Sequence, residues 1–358
     1  MPNVVISKTS PKTIIFDYRD LLRKGSYKSF LDSKAPIVIK INLSWTKFYP
    51  ACSTPPWQLE AVVKTLLEDG FRPSQIIPVE NRTVVTDVRK GSVNNGWVDV
   101  LKKYGLKMTY LTDVPYKVYK PKHKLLIMDK IFPDGIQLPE LIFGANIIHL
   151  PTMKMHVFTT TTGAVKNYFG MLRTVRHFAH RYIHETIIDL LTIQKEIHPG
   201  IFAVMDGTIV GNGSGPRAMN WEEKNYILAS GDSVAIDAIA AKMMGFNPMK
   251  IKYLELGQKL GLGTADPSKI ETLGENISNI NFGYKKADTF ASRGQKLIYH
   301  HTPVWLEKLL LQTLIAPWSY LASNLYHDVY WYNLVGKGRI EAFKKTSWGE
   351  LFASYANY

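Results

Sequence analysis

Cysteine is nearly absent: Cys52 is the single one among 358 residues. One thiol cannot close an intramolecular disulfide, and it cannot hold a cluster that draws several cysteine ligands from its own chain, so no iron–sulfur cluster is expected. The shortage suits a reducing compartment. Also missing is an apolar signal core near the start, where Asp17, Arg19 and Asp20 interrupt residues 1–20, and a cytoplasmic location is expected. Tandem repeats and low-complexity tracts are lacking, as are helix-turn-helix, zinc-finger and aromatic RNA-binding signatures. Basic residues are scattered rather than massed in one tail, which makes nucleic acid an unlikely partner on this reading. Acidic residues are few: 30, against 44 lysines and arginines, leaving a net charge of +14. Such a surface favours a small anionic molecule or an anionic surface.

Charge is missing altogether from Leu309 to Tyr326. That run is long enough to cross a bilayer, but Gln312, Pro317, Ser319, Ser323 and Asn324 interrupt it and tryptophans and tyrosines crowd around it. It reads as an interfacial or packed helix pair rather than a spanning helix. Contact with an anionic membrane surface through residues 304–334, peripheral at the inner face, is therefore the alternative to a purely cytoplasmic life.

With 46% apolar residues and a length beyond one ordinary core, the chain has material for two packed lobes. The β-branched run 36–43 reads as a buried strand. After a polar loop comes a helix over 57–69, with Ser53 or Thr54 as its cap and Gly70 past its end. A strand over 75–80, a helix over 97–104 and a strand over 108–111 follow. A second cycle begins with a strand over 145–150, then a long polar loop, a helix over 181–197 and a strand over 201–205. The glycines at 207, 211, 213 and 215 read as a turn or a phosphate-cradling loop. Asp232 or Ser233 caps a helix over 234–244. Strands alternating with helices predict a two-lobed α/β fold, mostly parallel sheets with helices on both faces, plus an aromatic-rich helical C-terminal extension. The expected divisions are residues 1–145, 146–280 and 281–358.

The passage from Leu150 to Gly170 carries the densest chemistry. It leaves the end of an expected strand, where open α/β sheets place ligands. Thr159 to Thr162 bring hydroxyls, Gly163 permits close backbone approach, and Lys154, His156, Lys166 and Asn167 add charge, an imidazole and an amide. Threonine runs also occur in edge strands, and loop lysines are often merely solvated. Lys40 and Asn42 end the first strand, where a buried lysine needs an anionic partner such as Glu80. Asp206, at another strand end, is a candidate partner for Lys166 or for a metal. His180 and His184 lie four apart on one helix face, a spacing that can bind a metal, with His184 the residue to test; the competing reading is a basic rim with Arg173, Arg176 and Arg181. Asp237 either faces the site or solvent.

Lys154-Met-His156, the Thr-Gly-Ala-Val-Lys-Asn of 162–167 and Gly170 resemble the signature of the family known as domain of unknown function 362. Ile39 to Asn42, Asp206-Gly207, Ser230 to Asp237 and Leu260 to Gly263 extend the resemblance over residues 36–265. Many members carry a cysteine-rich ferredoxin-like module that this chain lacks, so an electron-transfer role does not carry over. The same passage is more faintly similar to nickel-pincer lactate racemases. That likeness implies a metal or a nickel-pincer type nucleotide as cofactor, His156 as acid/base and Lys166 as its anchor, although the second proton carrier of such enzymes has no counterpart. The resulting expectation is an enzyme binding a small carboxylate or phosphate in an inter-lobe cleft. His156 and Lys166 would be catalytic, and Lys40, Asn42, Lys154, Thr162, Gly163, Asn167 and Asp206 would bind ligand. The alternative is a membrane-surface ligand-binding protein without catalysis.

Overall fold

A computed structural model describes residues 1–83, 85–173, 177–289, 292–294, 296–297, 303 and 317–355. The strands are β1 (Asn3–Lys8), β2 (Ile37–Lys40), β3 (Ile76–Glu80), β4 (Thr109–Tyr110), β5 (Tyr116–Tyr119), β6 (Ile136–Pro139), β7 (Asn146–His149), β8 (Thr152–His156), β9 (Thr160–Thr162), β10 (Ile201–Ser214), β11 (Ala218–Ser230) and β12 (Glu271–Gly274). Before the C-terminal region the helices are α1 (Ile14–Lys24), α2 (Pro56–Glu68), α3 (Val88–Asn94), α4 (Trp97–Lys103), α5 (Met128–Ile131), α6 (Ala164–Asn167), α7 (Ile183–Ile197), α8 (Ser233–Met244) and α9 (Lys252–Lys259).

Ten strands form one mostly parallel sheet in the order β12, β1, β11, β10, β7, β2, β3, β4, with β8 beside β10 and β9 beside β8. The boundary near residue 145 divides the chain but not the sheet, because β2 pairs with β7 in parallel from Ile37↔Asn146 to Lys40↔His149. β1 likewise joins β11 and β12. Side chains alternate between two buried layers: Ile37, Ile39 and Ile41 point to one and Val38 to the other. Both faces are covered, as the apolar character of β2 and β7 demands. The layer containing Ile39 packs against α1, α2 and α4, with Tyr18, Leu21, Trp57, Val62 and Trp97 in it. The opposite layer takes Ile187, Leu191, Val234, Ala238 and Tyr253 from α7, α8 and α9.

The strand order reverses between β2 and β7: β2 leads through α2 to its neighbour β3, whereas β7 leads through α7 to β10 on its other side. Connections leaving in opposite directions open a crevice beyond the carboxyl ends of these two strands. In open α/β sheets such a switch is where ligands are commonly bound.

Several local readings change. The expected polar loop after β7 is the β8–β9 hairpin, registered as Lys154↔Thr162 and His156↔Thr160; β-branched threonine favours extended backbone. The expected glycine loop is the long hairpin of β10 and β11, whose backbone is paired from Ala203↔Ser230 to Ser214↔Ala218. Glycine serves there because strands crowd one another: a Cβ on Gly211 would meet Lys154 Cβ at 2.9 Å, and one on Gly215 would meet the Met155 carbonyl oxygen at 1.9 Å. Thr54 does not cap α2; Pro55 holds the cap position, while the Thr54 hydroxyl donates to the Leu150 carbonyl at 2.6 Å. Asp232 caps α8 as expected, accepting from the Val234 and Ala235 amides at 2.9 and 3.0 Å.

Residues 304–316 of the aromatic extension lie outside the described residues. Beyond them come helices at Pro317–Asn324, Leu325–Gly336 (a π-helix), Lys337–Lys344 and Ser347–Tyr355. One side of this region belongs to the core. Trp331 lies 6.0 Å from Trp45 and 5.3 Å from Tyr49 between ring centres, Phe352 stacks on Phe48 at 3.8 Å, and Trp348 lies 5.1 Å from Trp57. Trp348 also donates to Asn225 at 2.7 Å, and the Tyr355 hydroxyl donates to Glu60. Among the described residues no helix is long and apolar enough to cross a membrane. Trp348→Ala is predicted to cost about 3–5 kcal/mol, measured by chemical denaturation; an unchanged midpoint would mean that the extension does not hold the body together.

Candidate functional site at the strand switch

β2 ends by delivering Lys40 and, two residues on, Asn42; β7 ends beside the start of β8, which carries Thr152, Lys154 and His156. Lys40 is 1% exposed and donates to both oxygens of Glu80 at 2.8 and 2.9 Å. Glu80 also accepts from the Leu43 and Asn81 amides, so its charge is fully engaged. This is the partner the sequence suggested. A buried pair of this kind is expensive to break, about 3–5 kcal/mol for loss of one member. Lys40 is therefore a wall of the crevice, its charge already matched.

Lys154 is also 1% exposed, but its ammonium meets only uncharged acceptors: Asn42 Oδ1 at 2.6 Å, Thr152 Oγ1 at 2.6 Å and the Cys52 carbonyl at 2.8 Å. Among the described residues no carboxylate lies within ion-pair distance of it. Burial pushes its pKa down to about 7, and repulsion from Lys166 and Lys40 adds to the effect. Asn42 is held for this task by its own amide, which donates to Thr54 Oγ1 at 2.9 Å.

Lys166 rises from α6, half-buried, with its ammonium 6.0 Å above the Phe169 ring. Its charge acts on both Lys154 and His156. His156 is buried, and its Nδ1 accepts from the Phe158 and Thr159 amides at 3.2 and 3.3 Å. Its pKa is held well below the usual imidazole range, first by burial and then by Lys166, His180, Lys154 and His184. A neutral ring whose Nδ1 accepts carries its proton on Nε2, so His156 presents a donor. The hairpin tip that holds it is strained at Thr160, which sits at φ 70°, a conformation that β-branched residues avoid.

Thr162 stands opposite Lys154 and donates to the Thr152 carbonyl at 3.4 Å. Asn167 donates from Nδ2 to the Lys40 carbonyl at 2.9 Å, while its buried Oδ1 has no hydrogen-bond partner among the described residues. Gly163 makes room for Asp237 of α8, whose carboxylate accepts from the Ala164 and Val165 amides at 2.7 and 3.2 Å. Asp237 thus faces α6 rather than solvent, and it fixes the short helix that carries Lys166. Burial raises its pKa to about 7, against the lowering effect of those amides. Sequence reading left Asp237 undecided; its spacing on an otherwise apolar helix was the available signal.

Asp206 lies elsewhere. It shares a face with Phe202 and Val204, and its carboxylate accepts from Tyr18 at 2.7 Å, Trp57 at 2.9 Å and Thr208 at 2.7 and 3.1 Å. Its acceptors are spent tying α1 and α2 to the sheet, so it does not serve as the expected partner of Lys166 or of a metal. His184 stacks near Tyr253, 6.3 Å between ring centres, with a buried Nδ1 that lacks a hydrogen-bond partner. Among the described residues no three histidine, cysteine, aspartate or glutamate side chains group as metal ligands, so His184 has no companion set. Arg176, read as part of a basic rim, lies outside the described residues.

The fold is that of an α/β protein with buried lysines gathered at its strand switch. The family model described as domain of unknown function 362 (DUF362) matches residues 37–242, more than half the chain, and the chain belongs to that family. A thylakoid-associated protein of Synechocystis sp. is 23% identical over 257 residues, covering 70% of this chain and 76% of its own length. A crystal structure of a Thermotoga maritima protein superposes with a TM-score of 0.36 at 12% identity, covering 70% of this chain, which spans 60% of that one. These relatives do not extend the likeness to lactate racemases.

A Cβ at position 163 would lie 1.9 Å from Asp237 Oδ1. Gly163→Ala should therefore destabilise the fold by at least about 2 kcal/mol, seen as a lowered unfolding midpoint; a wild-type midpoint would show that Asp237 can leave α6 without loss.

Proposed function

We propose that this protein binds a small anion, a carboxylate or a phosphate, beyond the ends of β2 and β7. The observation that carries the reading is Lys154, a lysine held in the interior by three neutral acceptors and, among the described residues, by no counter-ion. Desolvating an unpaired ammonium is costly, and an incoming anion supplies the missing charge. Lys166 adds a second positive charge at the mouth. Asn42, Thr162 and Asn167 orient the ligand, and Lys40 with Glu80 forms the rigid floor. In the catalytic form of the proposal the neutral His156 ring donates a hydrogen bond from Nε2 to the bound molecule and polarises it, and Lys166 anchors the anionic end. No step is routed through a metal: the Nδ1 lone pair of His156 is taken by two amides, and the described residues supply no ligand set.

Anion binding to such a site takes up a proton. Below about pH 7 Lys154 is already charged; above it the free protein has lost that proton, so affinity falls as pH rises. Calorimetric titration with sulfate, whose own charge is constant in this range, should show affinity dropping on the order of tenfold from about pH 6 to about pH 9. Lys154→Met should bind at least about tenfold more weakly with no such slope, while melting within a few degrees of the wild type. Equal affinity of the two proteins would remove the proposal.

A second reading rests on the far side of the C-terminal helices. Leu321, Leu325, Val329, Tyr330 and Leu334 are each more than half exposed, and they follow one another along one continuous helical stretch. Scattered exposed apolar residues are ordinary, but a stripe of them is not. On the same helical stretch the Tyr332 ring has Lys47 and Lys337 at 3.9 and 6.0 Å, Lys47 also lying 3.8 Å from Asp328. We infer docking on an anionic lipid surface, with the stripe in the interface and the lysines at the headgroups. The relative described as thylakoid-associated is in keeping with this. Because the other side of the same helices is core, the test leaves the extension in place: Leu325→Glu combined with Leu334→Glu. Wild type should sediment with phosphatidylglycerol vesicles and the double variant should stay in the supernatant; identical partitioning would end the lipid reading.

A further inference from the structure

Lys154 is 1% exposed, so an anion reaches its ammonium only by taking the place of one of the three acceptors around it. The three are not equally replaceable. Cys52 is fully buried; its amide donates to the Tyr49 carbonyl at 3.1 Å and its thiol to the Pro216 carbonyl at 3.0 Å. The Cys52 carbonyl therefore leaves Lys154 only if the main chain moves. Thr152 is also 1% exposed, sits in β8, and has its hydroxyl committed as a donor to the Ala51 carbonyl at 3.1 Å.

Asn42 differs from both. Its backbone is fixed, with the amide donating to Thr54 Oγ1 at 2.9 Å and the carbonyl accepting from the Thr54 amide at 3.0 Å. The residue is only half-buried, and its side chain is held at Oδ1 alone, by Lys154 at 2.6 Å and by Ser44 Oγ at 3.5 Å. Among the described residues Nδ2 makes no hydrogen bond. An ammonium only donates, so Oδ1 is the atom that faces it. The same planar group carries two donor hydrogens on its other end, and turning it over exchanges acceptor for donor without disturbing the backbone.

We propose that Asn42 is the gate of the strand-switch site, an inference that rests on the anion reading of that site. Asn42 Oδ1 holds the place of the ligand's oxygen and yields to it, and the amide then turns so that Nδ2 donates to the bound anion. A neutral amide suits this task. A carboxylate at position 42 would pair with Lys154 and compete with every incoming anion, whereas an amide oxygen satisfies the ammonium without cancelling its charge. The gate also selects: a neutral oxygen gains nothing over Oδ1, so the displacing group carries negative charge.

The test follows the Asn42 side-chain amide by NMR in full-length protein labelled at asparagine nitrogen, assigned by its loss in Asn42→Asp, beside calorimetric titration with sulfate. On sulfate binding the Nδ2 resonance is expected to shift and its hydrogens to exchange with water severalfold more slowly. Lys154→Met should abolish that response. Asn42→Asp, which builds the competing carboxylate into the gate, should bind sulfate at least about tenfold more weakly, with Lys154 charged well above the pH at which it titrates in the wild type. Heat of binding accompanied by an unmoved Asn42 amide, or wild-type affinity in Asn42→Asp, would overturn the gate and leave the anion site standing. No heat with the wild type would remove both.

Discussion

An ammonium group sits inside this protein with no carboxylate of the described residues within ion-pair distance. Everything near the strand switch is arranged around that fact. Lys154 extends from β8 toward the ends of β2 and β7 and is held by one side-chain amide, one hydroxyl and one peptide carbonyl. Such a group is stable only with a depressed pKa, with a ligand, or with both. Lys40, on β2 and equally buried, has Glu80 and needs neither. The contrast separates a lysine paired with a carboxylate from one held by neutral acceptors, which is what the proposed anion site rests on.

Building that arrangement requires close backbone approaches. Gly211 lets β10 lie against Lys154, and Gly163 lets the Asp237 carboxylate reach the two leading amides of α6. Through α6 the same carboxylate positions Lys166, although Asp237 belongs to an otherwise apolar helix behind the sheet. Thr54 joins the two strand ends, accepting from the Asn42 amide and donating to the Leu150 carbonyl. The crevice is thus fixed by hydrogen bonds running across the switch rather than by the loops at its rim.

Much of this was legible from residue order. Apolar β-branched runs located β2, β3 and β7, and Asp232 with Gly245 bracketed α8. The clustering of Lys154, His156, Lys166 and Asn167 was visible as a density of polar groups after a strand. What escaped was long-range pairing. Glycines that look like a turn lie within a hairpin because neighbouring strands demand the space, and a threonine run that looks like a loop is extended and buried. Asp206 was misread because its donors, Tyr18 and Trp57, come from the first sixty residues, and no local pattern announces such a partnership. The Trp331 and Trp348 contacts were hidden for the same reason: an aromatic surface reads alike whether it meets lipid or Trp45 and Trp57.

The charge state of Lys154 decides the account. Its side-chain nitrogen can be followed by NMR in lysine-labelled protein, with Lys154→Met supplying the assignment, in the presence and absence of sulfate. The account predicts titration near pH 7 in the free protein and a clear upward displacement when sulfate is bound. A Lys154 that titrates like a solvent-exposed lysine, or one indifferent to the anion, would contradict it.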